Sequence, residues 1–331
     1  MRVIIDAFGG DFAPACTIEG AALAQKELGV GIVLTGNEDI IRSYIREHDV
    51  KFTDLEIIHT DDVISMHDEP TSLLKTHKDS SMAVAFKKLS EGEADAFVSA
   101  GSTGAIVVGG TLIVKRIKGV KRPALASMIP SPDKPYMLMD MGANAECRPE
   151  MLQQFGIMAN AYLKRVEGRS NPKIALLNIG TEDTKGGELQ QEAYKLLSKA
   201  DINFVGNIES REMPKGVADA VITDGFTGNI ALKLIEGTAS TLFKMIKGAL
   251  YKNIINKLAA LIIKKDLYVL KGKMDSSEVG GALLLGVKKP VIKAHGNSDA
   301  KAIKNAIRQA KYFYEGNVIE SISQGLESVE E

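Results

Sequence analysis

The stretch ITDGFTGNIALKLIEG, from Ile222 to Gly237, decides how the rest of the chain is interpreted. It opens as an apolar run typical of a buried strand and continues with the apolar spacing of a helix. At the junction lie an acid, two glycines, a hydroxyl and a carboxamide: Asp224, Gly225, Thr227, Gly228 and Asn229. A plain strand-to-helix turn needs only one or two such residues as caps. The surplus predicts a junction that also has a function.

The same alternation of strand and helix extends along the whole chain. Predicted strands cover 2–7, 31–36, 55–60, 95–101, 173–180, 202–209, 218–224 and 290–296. Predicted helices cover 14–28, 37–49, 80–92, 102–119, 149–166, 187–199, 228 to beyond 264, and 298 onward. Two further strands, 123–130 and 136–141, flank the turn PSPDKP and are expected to pair as an antiparallel hairpin.

Strands this apolar, alternating with amphipathic helices, indicate a parallel sheet covered on both faces. We therefore expect a three-layer α/β fold with a mostly parallel sheet. Residues 1–331 are predicted to form a single α/β domain. Residues 244–273 are predicted to form a basic amphipathic helical hairpin that protrudes from it.

Composition excludes several classes of protein. The formal net charge of −1 over 331 residues argues against a nucleic-acid binder. Cys16 and Cys147 are far apart in the sequence and lack the spacing of a zinc knuckle. Asp140 and Glu146 are two acids near each other, but no third residue is spaced to complete a metal site with them. We predict no metal and no cofactor. Without a signal-peptide pattern or a long apolar run, a cytoplasmic protein, soluble or peripheral to a membrane, is expected.

Six turns that contain glycine stand where predicted strands end: 6–11, 99–105, 140–146, 178–188, 223–229 and 294–300. Ligands of such folds bind at the carboxyl ends of strands, so we expect these turns on one edge of the sheet. Glycine allows a close backbone approach, and a helix N-terminus offers free N–H groups to an anion. Any one turn is explained by cap chemistry, but six together predict a site for phosphate or another oxyanion.

Two charged or titratable side chains stand out in these turns. Lys185 follows a strand in TEDTKGGE, where its charge suits a phosphate, although a solvated loop lysine is the alternative. His295 ends an apolar strand, where an imidazole can donate a proton or hydrogen bond, although a histidine satisfied by a backbone carbonyl is the alternative. No serine, threonine or cysteine shows a nucleophile signature, which favours direct attack by a bound nucleophile.

The segment 244–273 carries eight lysines and one acid, Asp266. Its apolar residues recur at helical spacing: Leu250, Ile254, Ile255, Leu258, Leu261 and Ile262. Such a helix suits an anionic membrane surface. Packing on the core or on a second subunit is the alternative. The predicted membrane-contact residues are Leu258, Leu261, Ile262, Lys257, Lys264 and Lys265.

The motifs DAFGGDFAP, SAGSTGA, NIGTEDTKG, GNIESRE, DGFTGN and AHGNS follow one another over nearly the whole chain. In this order they resemble the bacterial acyl-acyl-carrier-protein:phosphate acyltransferases of phospholipid synthesis, the PlsX family. One departure is Ser102, where the family usually has asparagine. The resemblance implies a fold similar to phosphate acetyltransferases and isopropylmalate-type dehydrogenases.

The resemblance also implies an activity and partners. The family makes acyl phosphate from a fatty acyl thioester on acyl carrier protein and inorganic phosphate. It is typically a homodimer at the inner face of the cell membrane, and a downstream glycerol-phosphate acyltransferase is an expected partner. By this resemblance the basic hairpin becomes the membrane-contact element, and the two long helices with the hairpin supply an apolar groove for the acyl chain.

The implied chemistry assigns roles to individual residues. Lys185 takes the phosphate or the developing negative charge, Asn229 donates a hydrogen bond to the oxyanion or phosphate, and His295 assists proton traffic or anchors the thioester. The remaining predicted phosphate- and thioester-binding residues are Gly101, Ser102, Thr103, Gly104, Asp224, Thr227, Gly228 and Gly296.

Two alternatives stay open. An NAD-dependent decarboxylating dehydrogenase would need clustered aspartates for a metal and several arginines for a carboxylate, and neither set is present in the sequence. A membrane-recruited scaffold for acyl carrier protein would have no need of an anion site, so the glycine-rich turns argue against it as the sole function.

Overall fold

Short apolar strands form one continuous eleven-stranded sheet in the computed structural model, which describes residues 1–273 and 280–330. Most of the central strands are buried along their whole length, as expected of a sheet covered on both faces. In chain order the strands are Arg2–Asp6 (β1), Gly31–Gly36 (β2), Leu55–His59 (β3), Ala96–Ser99 (β4), Ala124–Ile129 (β5), Tyr136–Met139 (β6), Ile174–Asn178 (β7), Phe204–Glu209 (β8), Ala220–Ile222 (β9), Ala282–Leu285 (β10) and Val291–Lys293 (β11).

Helices cover both faces of this sheet. Two of the predicted helices begin at side-chain caps: Asn37 accepts from the Ile40 amide at 3.0 Å, and Ser80 accepts from the Ala83 amide at 3.4 Å. The helices are Ala15–Leu28 (α1), Glu38–Glu47 (α2), Ser81–Glu91 (α3), Thr103–Gly109 (α4), Pro149–Arg165 (α5), Glu188–Lys199 (α6), Gly225–Leu250 (α7), Ile254–Lys273 (α8), Ala300–Glu315 (α9) and Val318–Glu330 (α10).

The strand order is β3-β2-β1-β4-β11-β10-β5-β6-β9-β7-β8. One parallel block consists of the five neighbouring strands β3-β2-β1-β4-β11. A second parallel block consists of the four neighbouring strands β6-β9-β7-β8. Between these two parallel blocks, β10 is antiparallel to both of its neighbours, and β5 and β6 form the predicted antiparallel hairpin. The two blocks therefore run in opposite directions.

This reversal makes the expectation of one common edge wrong. The turns after β1, β4 and β11 lie at one edge, and those after β6, β7 and β9 lie at the other. Sheet twist of about 20–25° per strand pair accumulates to roughly 100–125° over the five steps from β4 to β9. A rotation of about this size means that the two carboxyl edges are inclined to each other and not directly opposed. Helix α7 runs from the second group of turns towards the first.

Two local predictions are also corrected. The helix expected over 102–119 is shorter, because α4 passes into a π-helical segment, Gly110–Lys115, which ends at Lys115 with a φ of 73°. There the Lys288 amide donates to the Lys115 carbonyl at 2.9 Å and draws the chain out of the helix. Strand β10 was not predicted, since a run as short as ALLL does not separate strand from helix.

Candidate functional site

The first group of turns is built around the buried carboxylate of Asp6. It accepts hydrogen bonds from the hydroxyls of Ser81, at 2.6 Å, and Ser99, at 2.8 Å. The Ser99 hydroxyl in turn accepts from the Gly101 amide at 2.9 Å. Burial raises the pKa of Asp6, and the two serine hydroxyls oppose that shift. The network joins the ends of β1 and β4 to the start of α3 and fixes the backbone at Gly101.

The turn after β11 packs directly on this network. The Asp11 amide donates to the Gly296 carbonyl at 2.7 Å. Gly10 has a φ of 107°, and a Cβ on it would lie 2.8 Å from the Ala100 Cβ and 3.0 Å from the Gly296 oxygen. Only glycine tolerates both the positive φ and the lack of space for a Cβ, so the three turns are held in close contact.

Ser102, predicted to bind phosphate or thioester, caps α4 in this structure. Its hydroxyl accepts from the Ala105 amide at 3.5 Å, and the residue is buried. Serine and asparagine serve about equally well as N-caps, so the departure predicted at Ser102 leaves this cap intact. Gly104, in the first turn of α4, packs against Pro70. Thr103 begins α4, and a ligand role for these residues stays a prediction.

The second group of turns is built around another buried acid, Asp140. Its carboxylate accepts from the amides of Leu125, Gly142, Ala143 and Asn144 at 2.8–3.1 Å, and from the Asn144 side chain at 2.8 Å. Burial raises the pKa of Asp140, and these hydrogen bonds oppose the shift. Asp140 therefore organises the end of β6 and is fully engaged with the protein.

The start of α7 is fastened to this turn. Asp224 caps the helix, accepting from both the amide and the hydroxyl of Thr227 at 2.8 Å. A Cβ on Gly228 would lie 1.8 Å from the Asp140 carbonyl oxygen, so only glycine allows helix and strand to approach this closely. The Asn229 side-chain amide donates to the Met141 carbonyl at 3.0 Å. The carboxamide of Asn229 is thus held in one orientation beside the end of β6.

Lys185 lies in the loop after β7, at the same edge as Asn229 but two strands from β6. Its ammonium lies 3.8 Å from the Glu182 carboxylate, and its side chain is about half exposed at 47%. The Asn178 side chain donates to the Lys185 carbonyl at 3.0 Å and holds the loop. The half-exposed ammonium is available to an anion that displaces Glu182.

His295 connects the two groups of turns. Its Nε2 lies 3.5 Å from the Glu236 carboxylate on α7, and the side chain is 58% exposed. Glu236 stands seven residues after Asn229, which is about 10 Å along a helix that rises 1.5 Å per residue. The structure therefore brings His295 to the same helix as Asn229, two turns further along it.

Lys293, a buried cation close to His295, was not predicted from the sequence. It pairs in register with Ser99 of β4, and its ammonium donates to the Ala294 carbonyl. Burial lowers the pKa of Lys293 to about 8, while the charge of Asp11 opposes that shift. A lysine inside the otherwise apolar strand PVIKAHG was the available signal. A buried ammonium at the end of β11 provides positive charge for an anionic ligand.

Helices α7 and α8 expose a large apolar surface. The exposed fractions of Ile254, Ile255 and Ile262 are 76%, 78% and 83%. Leu258 and Leu261 are 59% and 65% exposed, and Lys257, Lys264 and Lys265 are exposed on the same helix. Across residues 1–273 and 280–330, no helix is both long and apolar enough to span a bilayer. Exposed apolar patches of this kind mark an interaction surface.

The fold is a mixed α/β fold similar to that of phosphotransacetylases. The chain is similar to a phosphotransacetylase from Streptococcus pyogenes, with a TM-score of 0.62, 18% identity, and 99% of this chain and 94% of that one covered. It is also similar to a 4-hydroxythreonine-4-phosphate dehydrogenase from Klebsiella pneumoniae, with a TM-score of 0.52, 13% identity, and 95% and 99% coverage. These likenesses confirm the predicted fold class.

The chain belongs to the family described as fatty acid synthesis protein, PlsX, whose sequence pattern matches residues 1–321. A phosphate acyltransferase from Alkaliphilus oremlandii is 47% identical over 329 residues, with 99% of this chain and 98% of that protein covered. The resemblance stated from the motifs is therefore confirmed, and the dehydrogenase and scaffold alternatives are not favoured.

Proposed function

We propose that this chain transfers a fatty acyl group from acyl carrier protein to inorganic phosphate, giving acyl phosphate for phospholipid synthesis. The observation that carries the proposal is the 47% identity, over the full length of both chains, to a phosphate acyltransferase. The two groups of glycine-rich turns support it, because they present backbone amides and cations where an anion would bind.

The reaction needs positioning more than it needs a base. A phosphate oxygen attacks the thioester carbonyl carbon, forming a C–O bond while negative charge collects on the carbonyl oxygen. The tetrahedral intermediate collapses, the C–S bond breaks, and the thiolate leaves and takes up a proton. Phosphate is already partly dianionic at neutral pH, so holding the two reactants together and stabilising the oxyanion supply the rate.

The contacts described above support a proposed role for each predicted residue. Asn229, held by Met141, donates its second amide hydrogen to the oxyanion or phosphate. Lys185 exchanges Glu182 for the phosphate, and His295 delivers the proton to the leaving thiolate from its exposed position near Glu236. Among the predicted backbone amides, those of Gly101 and Thr227 already donate to Ser99 and Asp224, so the amides of Ser102, Thr103 and Gly104 complete the proposed anion site.

Purified protein mixed with palmitoyl-loaded carrier protein and phosphate tests the proposal. Acyl phosphate is trapped with hydroxylamine, and the hydroxamate is quantified by mass spectrometry. Lys185→Ala and Asn229→Ala are each expected to lower turnover by about 10²-fold, as loss of an oxyanion donor does. Lys199→Ala, an exposed lysine on α6, is the control. Wild-type turnover in both site variants would refute the residue assignment, and absence of acyl phosphate at several chain lengths would refute the function.

The exposed face of α7 and α8 supports a peripheral membrane role at an anionic surface. Lysines beside exposed isoleucines and leucines combine electrostatic attraction with apolar insertion. The variant with Leu258→Glu and Ile262→Glu is expected to lose co-sedimentation with anionic vesicles, because both side chains are exposed and insert directly. Ile40→Glu, on exposed α2, is the matched control. Unchanged sedimentation of the double variant would assign α8 to packing alone.

A homodimer completes the proposal. Phe226, Ile230 and Leu234 recur every fourth residue on α7 and are 63%, 52% and 68% exposed. Residues four apart lie on one helix face, so this apolar stripe is suited to a second copy of the chain. Sedimentation velocity tests it: Ile230→Asp and Leu234→Asp together should yield a monomer, whereas a persisting dimer would place the interface elsewhere.

A further inference from the structure

A surface with strong positive charge lies outside the site described above. It comprises Lys115, Arg116, Lys118, Lys121, Arg122, Lys288 and Lys289, and is called here the basic edge surface. The sequence contains no acid between residues 96 and 132 or between 279 and 298, although the whole chain carries a net charge of −1. All of its side chains except that of Lys289 are exposed. A local field this one-sided attracts an acidic partner.

The basic edge surface is preformed. The segment after α4 is held against the β10–β11 turn, since Arg116 bridges to Val287 and the Ile117 amide donates to the Gly286 carbonyl at 3.0 Å. On the other side, the Gln154 side chain donates to the Gly119 carbonyl at 2.9 Å and accepts from the Lys121 amide at 2.8 Å. A concavity of about 450 Å³ lies within it. Such a preorganised surface loses little conformational entropy on binding a partner.

This surface leads directly into the second group of turns. Arg122 precedes Pro123, whose carbonyl accepts from the Asn144 side chain at 2.8 Å. Asn144 also binds Asp140, and its carbonyl accepts from the Gly225 amide at the start of α7 at 2.8 Å. A partner docked on the basic edge surface is therefore next to the turns that hold Asn229. That position suits a carrier that presents its acyl group on a tether.

The direction of α7 separates this surface from the exposed apolar hairpin. The helix starts beside Asn144 and passes His295 at Glu236, on the opposite edge of the sheet. It continues to Leu250, about 39 Å from its start at 1.5 Å per residue. A bilayer in contact with the start of α8, at the exposed Ile254 and Ile255, therefore lies far from the basic edge surface.

We infer that the basic edge surface is the docking site for acyl carrier protein, an acidic protein. The inference rests on the proposed function, and it adds where on the chain the carrier binds. It assigns two tasks to two different surfaces: the basic edge surface binds the carrier, while α8 contacts lipid.

The test compares two acyl donors at about 0.01 M ionic strength, where surface charges are weakly screened. One donor is palmitoyl-loaded carrier protein, and the other is palmitoyl-pantetheine, a thioester without the protein. The test variant combines Lys118→Glu, Lys121→Glu and Arg122→Glu. The matched control combines Lys26→Glu, Lys173→Glu and Lys199→Glu, which are exposed and scattered over other faces.

The test variant is expected to lose at least tenfold in kcat/KM for the loaded carrier and to stay within twofold for palmitoyl-pantetheine, while the control changes neither. For the wild type, kcat/KM for the carrier alone should fall as salt rises, a result that needs no variant to fold. Equal loss on both donors, no loss on either, or a weaker binding of the test variant to anionic vesicles would overturn the inference. Wild-type protein that makes no acyl phosphate from either donor would refute the proposed function instead.

Discussion

Replacing Gly228 by alanine tests the contact between α7 and the sheet that orients Asn229. A Cβ at this position would lie 1.8 Å from the Asp140 carbonyl oxygen, whereas ordinary van der Waals contact begins at 3.4 Å. The helix start must therefore move by about 1.6 Å, the difference between these two distances. Such overpacking against the backbone costs about 1–3 kcal/mol, with the upper end expected here because no flexible side chain can move aside.

The gain in helix propensity from glycine to alanine, about 0.5–1 kcal/mol, offsets only part of that cost. A net loss of about 2 kcal/mol remains. Unfolding entropy of about 2.1 cal/mol/K per residue gives roughly 0.7 kcal/mol/K for 331 residues, so Tm should fall by about 3 °C. Turnover should fall as well, because a displacement of about 1 Å at a positioned group costs on the order of 10²-fold.

Differential scanning calorimetry and the hydroxamate assay measure these two effects. Gly237→Ala is the matched control: it is on the same helix, and a Cβ there would meet nothing within 4 Å. That control gains helix propensity without a clash, so its Tm should rise by about 1 °C with unchanged turnover. A Gly228→Ala variant that melts at or above the wild-type temperature would refute the proposed close contact.

Two other changes have outcomes of known sign. Asp224→Ala removes the cap that accepts from Thr227 and should cost about 0.5–2 kcal/mol of unfolding free energy in urea titrations, with most of it recovered in Asp224→Asn; equal stability of all three proteins would contradict the capping role. The pKa of Lys293 falls from 10.5 to about 8 on folding, so its charge destabilises the native state below pH 8 and has no such effect above pH 10.5. Lys293→Met should therefore raise the free energy of unfolding at pH 7 by up to about 3 kcal/mol, and raise Tm with it. This gain should shrink between pH 8 and 10.5. The same variant should lower the affinity for phosphate. A variant that binds phosphate normally would make Lys293 purely structural.

Helix starts and tight turns could be predicted from the sequence, because a single residue type determines the local backbone geometry there. The caps at Asn37 and Ser80, and the β5–β6 hairpin around its prolines, depend on neighbouring residues alone. The direction of whole strand blocks does not: it depends on β10, a four-residue strand that pairs with the nearby β11 and with β5, more than 150 residues earlier in the sequence. Missing that strand led directly to the wrong expectation of one edge.

The candidate site was predictable to a similar extent. The turns were found because glycine, serine and aspartate at strand ends carry a local signal. The pairing of Lys293 with Ser99, and of Asp6 with Ser81, arises from register between strands and helices that are 75 or more residues apart. Such long-range pairs determine which polar side chains become buried, and a local pattern does not contain that information.

The length of α7 gives the site a mechanical connection to whatever surface the hairpin contacts. Gly228 clamps one end of the helix to Asp140, and the other end lies about 33 Å away at Leu250. A rotation of 10° about the clamp moves that far end by roughly 6 Å and Glu236, about 12 Å from the clamp, by roughly 2 Å. A displacement of 2 Å separates Glu236 from His295. Under the proposed membrane contact, α7 acts as a lever on which motion of its far end reaches the imidazole reduced about threefold.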